Sequence, residues 1–471
     1  MTGHTPKRTP DFAAKQARLF IENKVQGVYR CGFGENFGLE GPTYYVYGKT
    51  LEDPSRSTLQ LVDEFCRRAF KESYTPMKVF YETLFERLAV YSNLSGDGFE
   101  GDKKAAPPIP RNPRIILSMI YTAEVLDVME KQLARAESMA KDPKVKKRLE
   151  LVRIEFDYTK NLAEILSFYT TFRLRPNKAN LDVLLNAVEA RNRMIASLYS
   201  NKGKMKRIPN WSEIPLFGNG PKAIFMTNGR LRGPIEAPLT WNVAHLRKLN
   251  IVPGAVKSRM TIKKAKGAVA FEDFNKGAWA IAPWHKLNGI QLGEVSEQTR
   301  FKMLYDEKNL YVAVESDLPD DRPHTAFGAD GPAWREDAIE LVLDPAGNRL
   351  NYYHMIYNPV ANSHYDSAVG FIEDVLDPRY NKADPSWNGN WTYVSKRQNN
   401  KWYSMVTVPF ADLKVKPASG MTWTLNVGRE IHIPVGKGRS SKSVRELGLW
   451  SPSLESLSFH DKDSFGEAVF E

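Results

Sequence analysis

The chain has 471 residues, 42% hydrophobic and 26% charged, with a formal net charge of +11. That length suits about three domains with packed cores, and no apolar run is long enough to span a membrane. Two cysteines, Cys31 and Cys66, make no disulfide framework, and the basic N-terminus lacks the apolar stretch of a signal peptide.

The charge is unevenly spread. Arg114 to Lys266 carries 29 Lys+Arg against 13 Asp+Glu, and Gly267 onward 21 against 28. A basic middle segment suits either an anionic partner or a solvated helical surface. The basic residues are interspersed and no nucleic-acid motif accompanies them, so the solvated surface is the expectation.

From the N-terminus, Phe12, Ala13, Leu19 and Phe20 give a helical face over 11–24. GlyValTyrArg at 27–30 reads as a short buried strand. It runs into a Gly-punctuated loop, CysGlyPheGlyGluAsnPheGly, as a βα unit of a barrel ends at its functional face. Ser57 is placed to cap a helix through Glu72, and a second helix runs from Pro76 to Leu94. The run TyrTyrValTyrGlyLys (44–49), AspPro (53–54) and ThrProMetLysValPheTyr (75–81) accompany the first motif. Together they resemble the end of the glycoside-hydrolase-like barrel of an uncharacterised family of large bacterial proteins. A complete barrel takes about 250 residues. The resemblance therefore implies only the last one or two units before Lys103, in a fragment of a longer protein or a chain whose start is placed too late.

Residues 95–113 read as a linker. Three helices follow, with Thr122 capping the first, Asp142-Pro143 between the first and second, and the third running from Asn180. Their stripes predict an antiparallel bundle with Phe156, Tyr169 and Phe172 in its core. Residues 203–262 are punctuated by Pro, Gly and Trp and are given no element.

From Lys263 the period changes to two. ThrArgPheLysMetLeuTyr and LeuTyrValAlaValGlu alternate on either side of Asp306–Asn309, which reads as a hairpin turn. AlaIleGluLeuValLeuAsp (338–344) alternates in the same way. Further runs stand at 352–358, 390–396, 402–409 and 423–429, with Trp402, Trp423 and Trp450 expected in the core. Short strands at this spacing predict a two-sheet sandwich. Between the second and third strands a Gly- and Pro-rich loop carries Trp334, followed by Asp337 and Glu340.

The ordered set of ThrArgPheLysMetLeuTyr, ProAlaTrpArgGluAspAlaIleGlu, TrpThrLeuAsnValGlyArg (423–429), LeuTrpSerPro (449–452) and SerPheGlyGluAlaValPhe (464–470) resembles carbohydrate-binding module family 9 and its relatives. The resemblance covers about Phe271 to Glu471. It implies two aromatic side chains sandwiching a terminal sugar while polar groups read its hydroxyls. Trp334, six residues before Glu340, matches the first aromatic, and Glu340 matches a polar contact. Phe459 falls near the second aromatic, nine residues after Trp450, where the family more often has Trp at a spacing different by one. His354 stands nearest the family's basic contact.

Catalytic signals are sparse. Glu35 lies on the loop after the first strand, where barrel enzymes place carboxylates. A glycosidase needs two, and its only neighbours are Glu40 and Asp53. The histidines show no metal-ligand spacing. Asp317, Asp320, Asp321 and Asp330 cluster in one region, as a structural calcium site or as an exposed acidic loop. There is no nucleophile elbow, P-loop or dinucleotide fingerprint.

The expected fold is multidomain α+β. Residues 1–104 form the end of a (β/α) barrel, 105–262 an antiparallel helical bundle with an irregular tail, and 263–471 an antiparallel β-sandwich. Three readings of function remain open: sugar binding within a polysaccharide-degrading protein, glycoside hydrolysis through Glu35 and an unnamed acid, or a structural interaction module whose Trp334 pocket is filled by its own loops. The expected partner is an oligosaccharide or polysaccharide, without nucleic acid, membrane insertion or cofactor, and with oligomeric state left open. The resemblance implies an extracellular or periplasmic place.

Overall fold

The computed structural model describes residues 9–28, 37–94, 117, 120–198, 236–239, 241–249, 252, 257–271, 274–289, 292–374, 377, 382–435, 442–452 and 459–471. Tyr29 and Arg30 with the loop that carries Glu35, all of 95–113 and most of 203–262 lie outside the described residues. The chain divides into two compact units, Met1–Val243 and Ala244–Glu471.

The first unit is helical. Its main helices are α1 (Pro10–Glu22), α2 (Phe37–Glu52), α3 (Thr58–Phe70), α4 (Tyr74–Leu94), α5 (Ala123–Met139), α6 (Pro143–Leu174) and α7 (Lys178–Leu198). The starts follow capping chemistry. Thr9 accepts from the Phe12 N–H at 3.2 Å, with Pro10 in the first turn. Thr122 accepts from Val125 N at 3.4 Å. Asp142 accepts from Lys144 N at 2.7 Å ahead of Pro143. Ser57 sits at the N-cap of α3, although its hydroxyl makes no capping bond. Phe156, Tyr169 and Phe172 are buried, as their stripe predicts.

The barrel end expected from the resemblance is not seen among the described residues. Among the described residues of 1–104 there is no strand. Gly27 and Val28 are irregular and exposed, and Tyr44–Lys49 lies inside α2. A lone strand has no neighbour to complete its hydrogen bonds, whereas α2 satisfies its own backbone. Its first turn is held by Glu155 of α6, whose carboxylate accepts from Gly38 N and Leu39 N, each at 2.9 Å. Gly38 permits this approach, since a Cβ there would stand 2.6 Å from the Leu151 carbonyl oxygen. Burial pushes the Glu155 carboxyl up to about 8, against the pull of those two N–H groups. The boundary expected near residue 104 thus falls inside one unit, with α2 packed on α6.

The second unit is built of β1 (Arg259–Lys264), β2 (His285–Lys286), β3 (Asn288–Gly289), β4 (Thr299–Tyr305), β5 (Asn309–Asp317), β6 (Ala338–Asp344), β7 (Tyr352–Tyr357), β8 (His364–Val369), β9 (Ala383–Asp384), β10 (Thr392–Gln398), β11 (Lys401–Pro409), β12 (Thr422–Val435), β13 (Lys442–Leu449) and β14 (Gly466–Phe470). One layer runs β10-β11-β5-β4 and the other β14-β12-β6-β7-β8-β9, with β13 beside β12. All pairings within the layers are antiparallel, but β1 is parallel to both its neighbours. Arg259–Ile262 pairs with β14, and Lys263–Lys264 with β4. It turns the corner between layers, as strands that switch sheets do.

Alternation sorts each strand into two faces. Phe301, Met303, Val312, Val314, Ile339, Leu341, Leu343, Met355, Val406, Leu425 and Val427 point inward and form the core with Trp402, Trp423 and Trp450. The β4–β5 hairpin closes at the expected turn, where Asp306 Oδ1 accepts from Lys308 N at 2.7 Å and Asn309 N at 2.8 Å. The outer face of the first layer is covered by residues 265–284 through Phe274 and Trp279. Buried Lys302 is satisfied there, donating to the carbonyls of Phe274 (2.8 Å) and Trp279 (3.1 Å). Among the described residues, no helix is long and apolar enough to cross a membrane.

Candidate functional site

The outer face of the second layer carries the polar residues that the core rejects. β6 turns out Ala338, Glu340 and Val342. β7 turns out Tyr352, His354 and Ile356, and β12 turns out Asn426, Gly428 and Glu430. Register sets Glu340 opposite Ile356 on one side and Gly428 on the other, with Ala338 opposite Glu430. Glu430 and Glu340 are therefore diagonal neighbours, within interaction distance on a sheet face.

Trp334 stands in a 3-10 turn, Ala333–Arg335, that leads into β6. It is 38% exposed, and its ring meets Tyr365 of β8 edge-on at 5.0 Å and 77°. Beneath it Ala333, Ala338 and Ile356 form a small apolar cluster. The turn is fastened from both sides. Glu336 accepts from Thr325 N at 2.7 Å and Thr325 Oγ1 at 2.6 Å.

Asp337 is the stronger fastening. It is buried and accepts from Arg322 (3.1 Å), His324 Nε2 (3.1 Å) and Arg429 (2.9 Å). Arg322 also pairs with Glu297, and Arg429 lies over the Trp402 ring at 4.9 Å. Arg397 donates to His324 Nδ1 at 3.2 Å. An arginine only donates, so His324 keeps its proton on Nε2, facing Asp337. Burial pushes the Asp337 carboxyl up, but the His324 hydrogen bond and the two guanidinium charges hold it below its ordinary value.

Glu340 and His354 meet at the centre of the face. His354 Nε2 lies 2.8 Å from Glu340 Oε2, and each residue is only 3% exposed. Glu430 is likewise buried. It makes a two-pronged ion pair with Arg445 of β13, with His432 Nε2 at 3.4 Å. Burial and the Glu430 charge drive the Glu340 carboxyl well above its ordinary value. Burial acts on Glu430 in the same direction, but His432 and Arg445 hold it below its ordinary value. Burial pushes the His354 imidazole down to about 4. Burial and the neighbouring charge thus favour the neutral form of Glu340 and of His354, while His432 and Arg445 favour the ionised form of Glu430.

Phe459 is only 4% exposed. It packs with Val342, Tyr352, Leu447, Leu449 and Phe465 and lies across Gly428, the residue paired with Glu340. His460 meets His354 edge-on at 4.6 Å and takes the Tyr352 hydroxyl to its Nδ1 at 2.8 Å. Ser367, paired with His354 across β8, is buried with no protein partner for its Oγ. The structure thus brings Glu340, His354 and Phe459 together under cover, and sets Trp334 beyond Ile356 in the open.

Sequence reasoning missed Glu430, His432 and Arg445. Glu430 and His432 continue the β12 alternation two and four residues past Gly428, which was their only local signal. Of the acidic group proposed for calcium, Asp317 pairs with Lys401 at 2.6 Å and Asp320 accepts from Asn400 N at 3.0 Å. Among the described residues, no three His, Cys, Asp or Glu side chains group to hold a metal ion. A depression of about 330 Å³ at the first layer is lined by Lys286, Gln298, Thr299, Arg300, Glu315 and Lys401. Most of its charge is spent in the Arg300–Glu315 and Lys401–Asp317 pairs.

Residues 275–470 match the family described as carbohydrate family 9 binding domain-like. The matched residues lie in the C-terminal unit, which is thus like a domain of that family, and the match supports carbohydrate binding by this region. Residues 1–274 lie outside the match, and no curated protein matches the chain. Among solved structures, the chain is similar to a family 9 carbohydrate-binding module from Caldicellulosiruptor kristjanssonii in complex with cellotriose. That likeness has 14% identity, 45% of this chain and 94% of that chain covered, and a TM-score of 0.32. For the module from that organism in complex with glucose, the values are 13%, 45%, 96% and 0.30.

Proposed function

We propose that the protein binds a carbohydrate on the outer face of the second layer. Trp334 is the stacking platform, Glu340 and His354 bond hydroxyls, and Phe459 is the second aromatic wall. The observation that carries this reading is the half-exposed Trp334 ring beside the Glu340–His354 pair, within a domain of this family. A sugar offers C–H faces to an aromatic ring and hydroxyls to carboxyl, imidazole and hydroxyl groups; the Ser367 Oγ beside His354 is a third such group. The covered floor means that the Phe459–His460 turn shifts when a sugar enters. Contacts worth roughly 1–3 kcal/mol each, set against the cost of association and of that shift, favour micromolar to millimolar dissociation constants.

The role within a polysaccharide-degrading, glycoside-hydrolase-like protein, and an extracellular or periplasmic place, rest on the sequence resemblances alone. Glucose and cellotriose, present in the similar structures, are the first sugars to try. A glycan array probed with the full chain, followed by calorimetry of the best hits, tests the assignment. Trp334→Ala should remove most of the binding while leaving the fold intact. Equal affinity in both proteins would place the site elsewhere.

A further inference from the structure

On the outer face of the second layer, two buried carboxyl groups share one guanidinium. Glu430 takes both prongs of Arg445, leaving Glu340 with a neutral imidazole and the neighbouring anion. The titratable groups that face Glu340 are His354 on β7, Glu430 and His432 on β12 and Arg445 on β13. Behind His354 stand His460 and the Tyr352 hydroxyl. Phe459, over Gly428, adds no charge. Two buried carboxylates this close cannot both stay ionised against one committed cation.

Resting on the sugar-binding reading, we infer that Glu430 is a positioning residue of the site: it keeps Glu340 a neutral acid under the Phe459–His460 cover, and sugar capture by the Glu340 carboxylate releases one proton.

The step balances simply. The Glu340 O–H bond breaks, the proton passes to solvent, and the carboxylate exchanges its contacts with His354 and Glu430 for sugar hydroxyls. Only the ionised form offers a full set of acceptor positions to a pair of hydroxyls. A raised carboxyl pKa supports this order of events. Affinity therefore rises with pH, by up to about tenfold per unit while Glu340 remains protonated in the free protein, and levels off above that range. In Glu430→Gln the Arg445 guanidinium is released to Glu340, which ionises without a sugar.

Two measurements on the full chain decide the matter. Infrared difference spectra near neutral pH, wild type minus variant, should show a buried carboxylic-acid carbonyl stretch, additional to that of Glu155, that is lost in Glu340→Gln and in Glu430→Gln. Absence of that band in the wild type would overturn the inference without any sugar present. Calorimetry with glucose and with cellotriose, in two buffers of different ionisation enthalpy, should show proton release in the wild type and none in Glu430→Gln. Binding with the same apparent enthalpy in both buffers, or release that survives Glu430→Gln, would also overturn it. A merely structural Glu430 would lower the melting temperature without changing the proton count. No binding of either sugar, in the array or in the calorimeter, would remove the sugar-binding reading itself, and the linkage with it.

Discussion

The ring of Phe459 occupies the space in which a side chain at Gly428 would stand. A Cβ there would lie 2.2 Å from Phe459 Cε1 and 2.3 Å from Cδ1. Glycine is required here by packing and not by backbone angle. Gly428→Ala should unseat Phe459 and cost about 1–3 kcal/mol of stability, the range for overpacking, read by urea denaturation. If Phe459 covers the floor as described, the same variant should raise the accessibility of His354 to diethyl pyrocarbonate. A fully stable variant with unchanged His354 reactivity would contradict this packing.

Asp337 answers two buried guanidinium groups, Arg322 and Arg429, and the His324 ring. Removing one member of such a network leaves uncompensated buried charge, at about 3–5 kcal/mol. Asp337→Ala should therefore be among the most destabilising single changes in the C-terminal unit. The Asp337 carboxyl is depressed in the folded state, so its contribution is present above the unfolded value of about 3.9. It is lost as pH falls through the lower folded value. Acid titration of stability, wild type against Asp337→Asn, should show this difference below pH 4.

His354 titrates the other way from a paired histidine. Its folded value is about 4, against about 6.5 unfolded. The unfolded chain binds the extra proton between these limits, so the stability that His354 contributes is full above 6.5 and falls as pH drops toward 4. Over that window the wild type should lose up to about 3 kcal/mol relative to His354→Gln. Glu340 opposes the trend, because its raised value makes its own contribution fall as pH rises above about 4.5. The difference between the two proteins, and not the wild-type curve alone, isolates the imidazole.

In the helical unit, Glu155 accepts from the backbone N–H groups of Gly38 and Leu39, each at 2.9 Å. Glu155→Ala strands both and leaves a space in the interior. A loss of about 2–5 kcal/mol, from unsatisfied donors and the cavity together, should appear in thermal unfolding followed by circular dichroism. A neutral result would mean that α2 does not depend on this cap.

Much of this architecture was legible in the chain. The β4–β5 hairpin announced itself through Asp306 and the alternation around it. The helix starts at Thr122 and Asp142-Pro143 followed from capping chemistry, and the buried tryptophans from their strand patterns. These signals are local. The partners of α2 were not local: nothing within Phe37–Glu52 names Glu155, more than a hundred residues on, and the tyrosine-rich run 44–49 suits either helix or strand until its packing is known. At the site, Trp334, Glu340, His354 and Phe459 could be chosen from the sequence, but not that three of them would be covered. That outcome depends on the register of β6, β7 and β12 and on Gly428 admitting a ring. Asp337 follows Trp334 by three residues, yet its partners lie elsewhere in the chain. They come from two other segments, the loop that holds Arg322 and His324 and the strand β12 that holds Arg429.

The placement of β14 has a consequence for how the C-terminal unit comes into being. This last strand lies between β1 and β12 and is the seam through which the two layers are joined. During synthesis the hairpins β4–β5, β6–β7 and β10–β11 can form as they emerge, since their contacts are near in sequence. The pairing of Arg259–Ile262 with Glu467–Phe470 spans some two hundred residues, and such contacts form late. Until residue 470 has cleared the ribosome, β1 and β12 each present an open edge to other nascent chains. A chain interrupted before Gly466–Phe470 is made would therefore carry an unseamed sandwich, and would be more prone to aggregate than much shorter fragments of the same domain.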